Sequence, residues 1–124
     1  MRIVLTDREA ELMEVLWERG PSTVAEVRDQ LPHDPAYTTI LTILRNLESK
    51  GLVAHDQEGR AHRYIARVAR DAAQRSALRD LSRKLFKGST AMLVTHLVAD
   101  QKLSPEELRR IRALLDQRTR KEKP

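Results

Sequence analysis

The 124-residue chain contains no cysteine, four glycines and only four aromatic residues, Trp17, Tyr37, Tyr64 and Phe86. The missing cysteine excludes a disulfide scaffold, thiolate catalysis, a thiolate zinc site and an iron–sulfur cluster. Glycines placed mostly at helix ends and turns leave little loop for a catalytic pocket. With so few aromatics, the core must rest on Leu, Ile, Val, Ala and Met. No apolar run approaches the roughly 20 residues that cross a bilayer, and no signal-peptide core opens the chain, so a soluble, cytoplasmic protein is expected. The four histidines, His33, His55, His62 and His96, lack carboxylate partners at ligand spacing. No metal site and no cofactor are therefore expected, and without a nucleophile elbow or a zinc-protease helix the chain is not expected to be an enzyme.

Charge is unevenly spread. Residues 1–68 carry nine Lys/Arg against eleven Asp/Glu, net −2, while residues 69–124 carry fourteen against seven, net +7. Bulk basicity is thus a poor argument for a nucleic-acid partner, and the case depends on where local charges point.

Thr6-Asp7-Arg8-Glu9 has the spacing of a capping box and predicts a helix carrying Leu12, Met13, Leu16 and Trp17, stopped by Gly20-Pro21. Thr23 and Glu26 repeat the capping spacing before a short helix with Val24, Val27 and Leu31, closed by Pro32 and Pro35. From about Ala36 to Lys50, Tyr37, Ile40, Leu41, Leu44 and Leu47 form an apolar stripe at helical spacing. Thr38, Thr42, Arg45 and Ser49 lie opposite, flanked by Thr39 and Asn46, and Gly51 ends the helix. The period then changes to two: Leu52–Gln57 and Ala61–Ala66 read as strands joined by a turn at Glu58-Gly59-Arg60. Three helices followed by a hairpin outline a winged helix-turn-helix.

From Val68 onward the pattern is helical. Leu78, Leu81 and Leu85 share one helix face, Met92, Leu93 and Leu97 belong to a second helix that is apolar on more than one side, and Leu108, Ile111 and Leu115 to a third. Ser104-Pro105-Glu106-Glu107 is a strong start signal for that third helix, and Arg118–Pro124 reads as a frayed basic tail. About 55 residues make a small core, and their apolar surface predicts pairing with a second copy. The expected organisation is mainly α with a small β-hairpin: a winged-helix DNA-binding domain at 1–67 and a helical dimerisation domain at 68–124.

Short hydroxyl side chains beside Arg45 and Asn46 suit close approach to a duplex. Thr and Asn reach base edges or phosphates, and Arg takes guanine bidentately. An ordinary solvated face would more often carry Glu and Lys. Arg60, His62 and Arg63 at the hairpin tip, with Lys50, are expected on phosphates. The rival reading is a winged-helix module for protein–protein interaction without DNA binding, which the net −2 of residues 1–68 mildly favours.

The chain resembles the penicillinase-repressor (BlaI/MecI-like) family of winged-helix transcriptional repressors. The likeness runs through Leu5-Thr6, Met13, Leu16-Trp17, Tyr37-Thr38-Thr39, Lys50-Gly51-Leu52, Gly59-Arg60-Ala61, Arg63-Tyr64, Lys87-Gly88-Ser89 and Leu103 to Leu108. It implies a homodimer on a two-fold DNA operator, often controlling antibiotic resistance, with DNA contacts at Thr38, Thr39, Thr42 and Arg45 supported by Arg60 and Arg63. It makes Trp17 and Tyr64 core residues. It also implies a membrane-bound metalloprotease sensor as partner; the cut made at an Asn-Phe pair in the best-known members falls here at His96-Leu97. Copper-responsive relatives carry a cysteine-rich C-terminus, which this chain lacks.

Overall fold

The structure, a computed structural model, describes residues 2–100 and 102–122. Its elements in chain order are α1 (Asp7–Arg19), β1 (Ser22–Thr23), α2 (Val24–Asp29), α3 (Tyr37–Ser49), β2 (Val53–Glu58), β3 (Ala61–Ala66), α4 (Arg70–Leu85), α5 (Thr90–Asp100) and α6 (Pro105–Glu122). The strands form one antiparallel sheet in the order β1-β3-β2. The chain divides into two compact units, residues 1–80 and 81–124. None of the described helices is long and apolar enough to cross a membrane.

Local chemistry sets the first helices. Thr6 accepts from the Glu9 N–H at 3.1 Å while the Glu9 carboxylate accepts from the Thr6 N–H at 2.8 Å, so two N–H groups that the helix cannot satisfy are satisfied reciprocally. Thr23 and Glu26 do the same for α2. The Thr23 N–H, with the Arg19 guanidinium, holds the Glu26 carboxyl down at about 2 against the opposing effect of desolvation. A carboxyl whose pKa is lower folded than unfolded stabilises the fold above its unfolded value, and that contribution disappears as pH falls through the folded one. Glu26→Gln should therefore melt earlier than wild type above about pH 5, with the difference closing as pH approaches 2; thermal melts of both proteins across that range check it, and a pH-independent gap would contradict it.

In the first unit Leu12, Met13 and Leu16 of α1 meet Ile40, Leu44 and Leu47 of α3 in one core, closed by Val24, Val27, Leu52, Val53 and Tyr64. Each fully buried leucine contributes about 1.5–3 kcal/mol by leaving water. Trp17 is half-buried and donates from Nε1 to the Val68 carbonyl at 2.9 Å. The first turns of α4 join this unit: Ala73 is buried, and the buried Ser76 hydroxyl accepts from the Ile3 N–H at 2.8 Å.

Four local features differ from the sequence-based expectation. A two-residue strand, β1, pairs Ser22 with Tyr64 and Thr23 with Arg63; it is too short to leave a periodic signal. The hairpin starts at Val53 because Leu52 instead closes α3, donating to the Leu47 carbonyl at 3.0 Å. Tyr37, placed by spacing on the apolar stripe, is 49% exposed. The chain after Arg118 continues α6 to Glu122, with Arg120 and Lys121 in its last turn, where cations offset the negative helix end.

In the second unit Ser89 accepts from the Met92 N–H at 3.1 Å at the start of α5, and Ser104 with Glu107 forms a capping box for α6. Leu93 is buried, while Met92, Val94, Leu97, Val98, Leu108, Leu114 and Leu115 are exposed large apolar side chains.

Candidate nucleic-acid interface

Burying Ile40, Leu44 and Leu47 obliges α3 to turn its opposite side outward, and Thr38, Thr39, Thr42, Arg45 and Asn46 are all exposed. Thr42 donates to the Thr38 carbonyl at 2.9 Å. That occupies its hydroxyl proton and leaves its methyl group and oxygen lone pairs for an approaching molecule.

Beside this face lies an open cleft of about 310 Å³ between α3, the start of α2 and the β3 side of the hairpin. Tyr37, Arg45, Arg60 and His62 line it, with the buried Tyr64 behind them. Burial first, and the Glu48 carboxylate second, push the Tyr64 phenol upward, while Arg45 acts in the opposite sense; the phenol stays neutral. Gly59, at φ 63°, occupies the first position of the two-residue turn between Glu58 and Ala61, where a left-handed residue is needed, and this tight turn brings Arg60 to the tip. His62 stacks on His55, with ring centroids 4.6 Å apart and planes 13° from parallel, and His55 Nδ1 is 2.6 Å from Glu48 Oε2. Two histidines thus do have carboxylate neighbours, contrary to the spacing argument: His55 with Glu48, and His96 with Asp100 at 3.1 Å. Among the described residues no group of three side chains could hold a metal ion.

The basic residues fall into two sets. Arg45 and Arg60 have no ion pair among the described residues. Lys50 and Arg63 are engaged by the protein itself. The Lys50 ammonium is 2.6 Å from Glu9 Oε1 and donates to the Val4 carbonyl at 3.3 Å; its side chain is 41% exposed against 6% for Glu9. Burial raises the Glu9 pKa, but the bonds from Lys50 and Thr6 outweigh it and keep the group a carboxylate. Arg63 is bonded to Glu26 at 3.0 Å and to the Pro21 carbonyl at 3.1 Å, tying β3 to the start of α2. Lys50→Met would strip the nearly buried Glu9 of its cation. About 1–2 kcal/mol of stability should be lost, less than for a fully buried pair because the ammonium is partly solvated. Denaturant unfolding checks this, and restoration of stability in the double variant Glu9→Gln/Lys50→Met would confirm the cause.

Two features of this region are not legible in the sequence: the exposure of Tyr37 in the cleft, and His55, which stacks on the cleft residue His62 from outside its lining. Spacing places Tyr37 with the core, but a tyrosine on the first turn at the edge of a stripe can keep its hydroxyl in water. His55 is paired with Tyr64 in the β2–β3 register and stacks diagonally on His62, a contact that appears only once the register is known.

The sequence pattern of the penicillinase repressor family matches residues 5–117. The transcriptional regulator BlaI of Mycobacterium tuberculosis is 37% identical over 98 residues, which are 76% of this chain and 71% of that one. The penicillinase repressor of Bacillus licheniformis is 24% identical over 121 residues, covering 96% of this chain and 94% of that one. The solution structure of the DNA-binding domain of the repressor BlaI superimposes with a TM-score of 0.50 at 30% identity, covering 56% of this chain and 90% of that domain. With three helices, an antiparallel wing and a sequence match over nearly its whole length, the chain belongs to the penicillinase repressor family of winged-helix regulators.

Proposed function

We propose that this repressor acts as a homodimer on a two-fold DNA operator, in the cytoplasm, with one α3 in the major groove of each half-site. The observation that carries the reading is the exposed, carboxylate-poor face of α3 beside two arginines that no acidic side chain among the described residues neutralises. Arg45, Asn46 and Thr38, Thr39 and Thr42 read base edges; Arg60 and His62 reach phosphates. Lys50 and Arg63, expected on phosphates from sequence, act first by holding the α3 end and the wing in place through Glu9 and Glu26. Residues 1–67 form the reading head and residues 68–124 the pairing region, through Leu78, Leu81, Leu85, Met92, Leu97, Leu108, Ile111 and Leu115; Leu93, expected among them from sequence, is buried within its own unit and supports that surface from beneath. Two heads related by a two-fold axis place their helices about 34–36 Å apart, or a multiple of that. Inactivation by a membrane-bound protease sensor belongs to this reading through family resemblance alone.

Selecting bound DNA from a random pool and reading its half-sites tests the proposal directly. A palindromic pair with whole-turn spacing is expected, with affinity that falls linearly on a log–log plot against salt concentration. Recovery of no preferred sequence, together with salt-insensitive capture of a protein partner, would favour the interaction-module reading instead.

A further inference from the structure

At the end of the hairpin away from its tip, a groove of about 430 Å³ opens among the N-terminal segment, the residues leaving β3 and the first turns of α4. Its floor is apolar, made by Ile3, Val68, Ala69 and Ala72, and its rim is three guanidinium groups, Arg67, Arg75 and Arg79; no carboxylate among the described residues lines it. The size is at the small end of ligand sites, which run from about 300 to 1,000 Å³. Arg75 is held by Asp71 on its own helix at 2.8 Å. Arg67 and Arg79 have no ion pair among the described residues, whereas Arg2, Arg19 and Arg28 each have one and Arg70 has two. That leaves two like charges, Arg67 and Arg79, beside an apolar floor whose Val68, Ala69 and Ala72 are at least partly exposed. A ligand with anionic groups on an apolar body matches both the charges and the floor, and the guanidinium fork matches carboxylate and phosphate oxygens two at a time.

We propose that this groove binds a small amphipathic dianion, an apolar body bearing carboxylate or phosphate oxygens, seated by Arg67 and Arg79. A DNA backbone would use the arginines and leave the apolar floor unused. The groove shares no lining residue with the α3–hairpin cleft, so the inference stands independently of the DNA-binding reading.

Calorimetric titration of the full chain with isophthalate, phenyl phosphate, uncharged isophthalamide and inorganic phosphate tests it. Isophthalate or phenyl phosphate should bind one-to-one, about tenfold or more tightly than isophthalamide or inorganic phosphate, and the tighter of the two identifies the acid group. Arg67→Gln and Arg79→Gln should each weaken that binding by about tenfold, with circular dichroism and melting unchanged, since both side chains are exposed. Arg45→Ala should leave it unaltered. Equal binding of inorganic phosphate or of the diamide would overturn the proposal. So would undiminished binding in the Arg67→Gln/Arg79→Gln protein, above all if that protein had lost affinity for DNA.

Discussion

Aspartate in place of both Leu97 and Leu108 is expected to convert the protein to a monomer and to lower operator affinity by roughly 10²–10⁴. The two side chains are 49% and 44% exposed within one chain, so the substitutions leave its own core intact. In the proposed dimer the penalty falls on contact with the second copy, where a carboxylate would be taken out of water without a partner. Once the copies separate, each half-site is bound alone and the effective concentration supplied by linkage is gone. Sedimentation velocity and DNA titration of the same preparation check both halves of the expectation. A variant that stays dimeric, or a monomer that holds the operator as tightly as wild type, would refute the two-fold mechanism. Leu93 makes the contrast: at 8% exposure it serves its own unit, and Leu93→Asp should unfold that unit as well. Point substitutions are preferable to truncation after Arg67, because the first compact unit runs on to Asp80 and a cut at Arg67 would remove Ala73 and the Ser76–Ile3 bond.

Arg45→Ala should lower affinity for the selected operator by about 1–3 kcal/mol per half-site and relax the preference at one base pair, while leaving binding to bulk DNA nearly unchanged. The physical basis is that Arg45 stands exposed on α3 with no ion pair among the described residues, so no internal bond is exchanged when it meets a guanine edge. Stability should not move, because the side chain supports no packing. A uniform loss across all sequences, with a salt slope reduced by about one, would make Arg45 a phosphate contact. The comparison with Lys50→Met is informative: there the stability falls, because the ammonium belongs to Glu9 before any DNA arrives.

Features that depend on neighbours three or four residues apart were legible in the chain. The caps at Thr6 and Glu9, at Thr23 and Glu26, and at Ser104 and Glu107 form from hydrogen bonds within one helical turn. Helical spacing puts Ile40, Leu44 and Leu47 on the buried face and turns the threonines and Arg45 outward, although it does not tell those three apolar residues from Tyr37, which the same stripe leaves exposed. Gly59 marks the hairpin turn because of a backbone conformation that other residues rarely adopt.

Tertiary structure decided which charges remain available. Lys50 meets Glu9 across 41 positions and Arg63 meets Glu26 across 37, and no local rule pairs them. The same packing left Arg45 and Arg60 over one cleft and Arg67 and Arg79 over another groove. Helix periodicity is a property of one segment, so it can be read along the chain. An ion pair depends on the register between segments, and that register exists only after the hydrophobic core has brought them together.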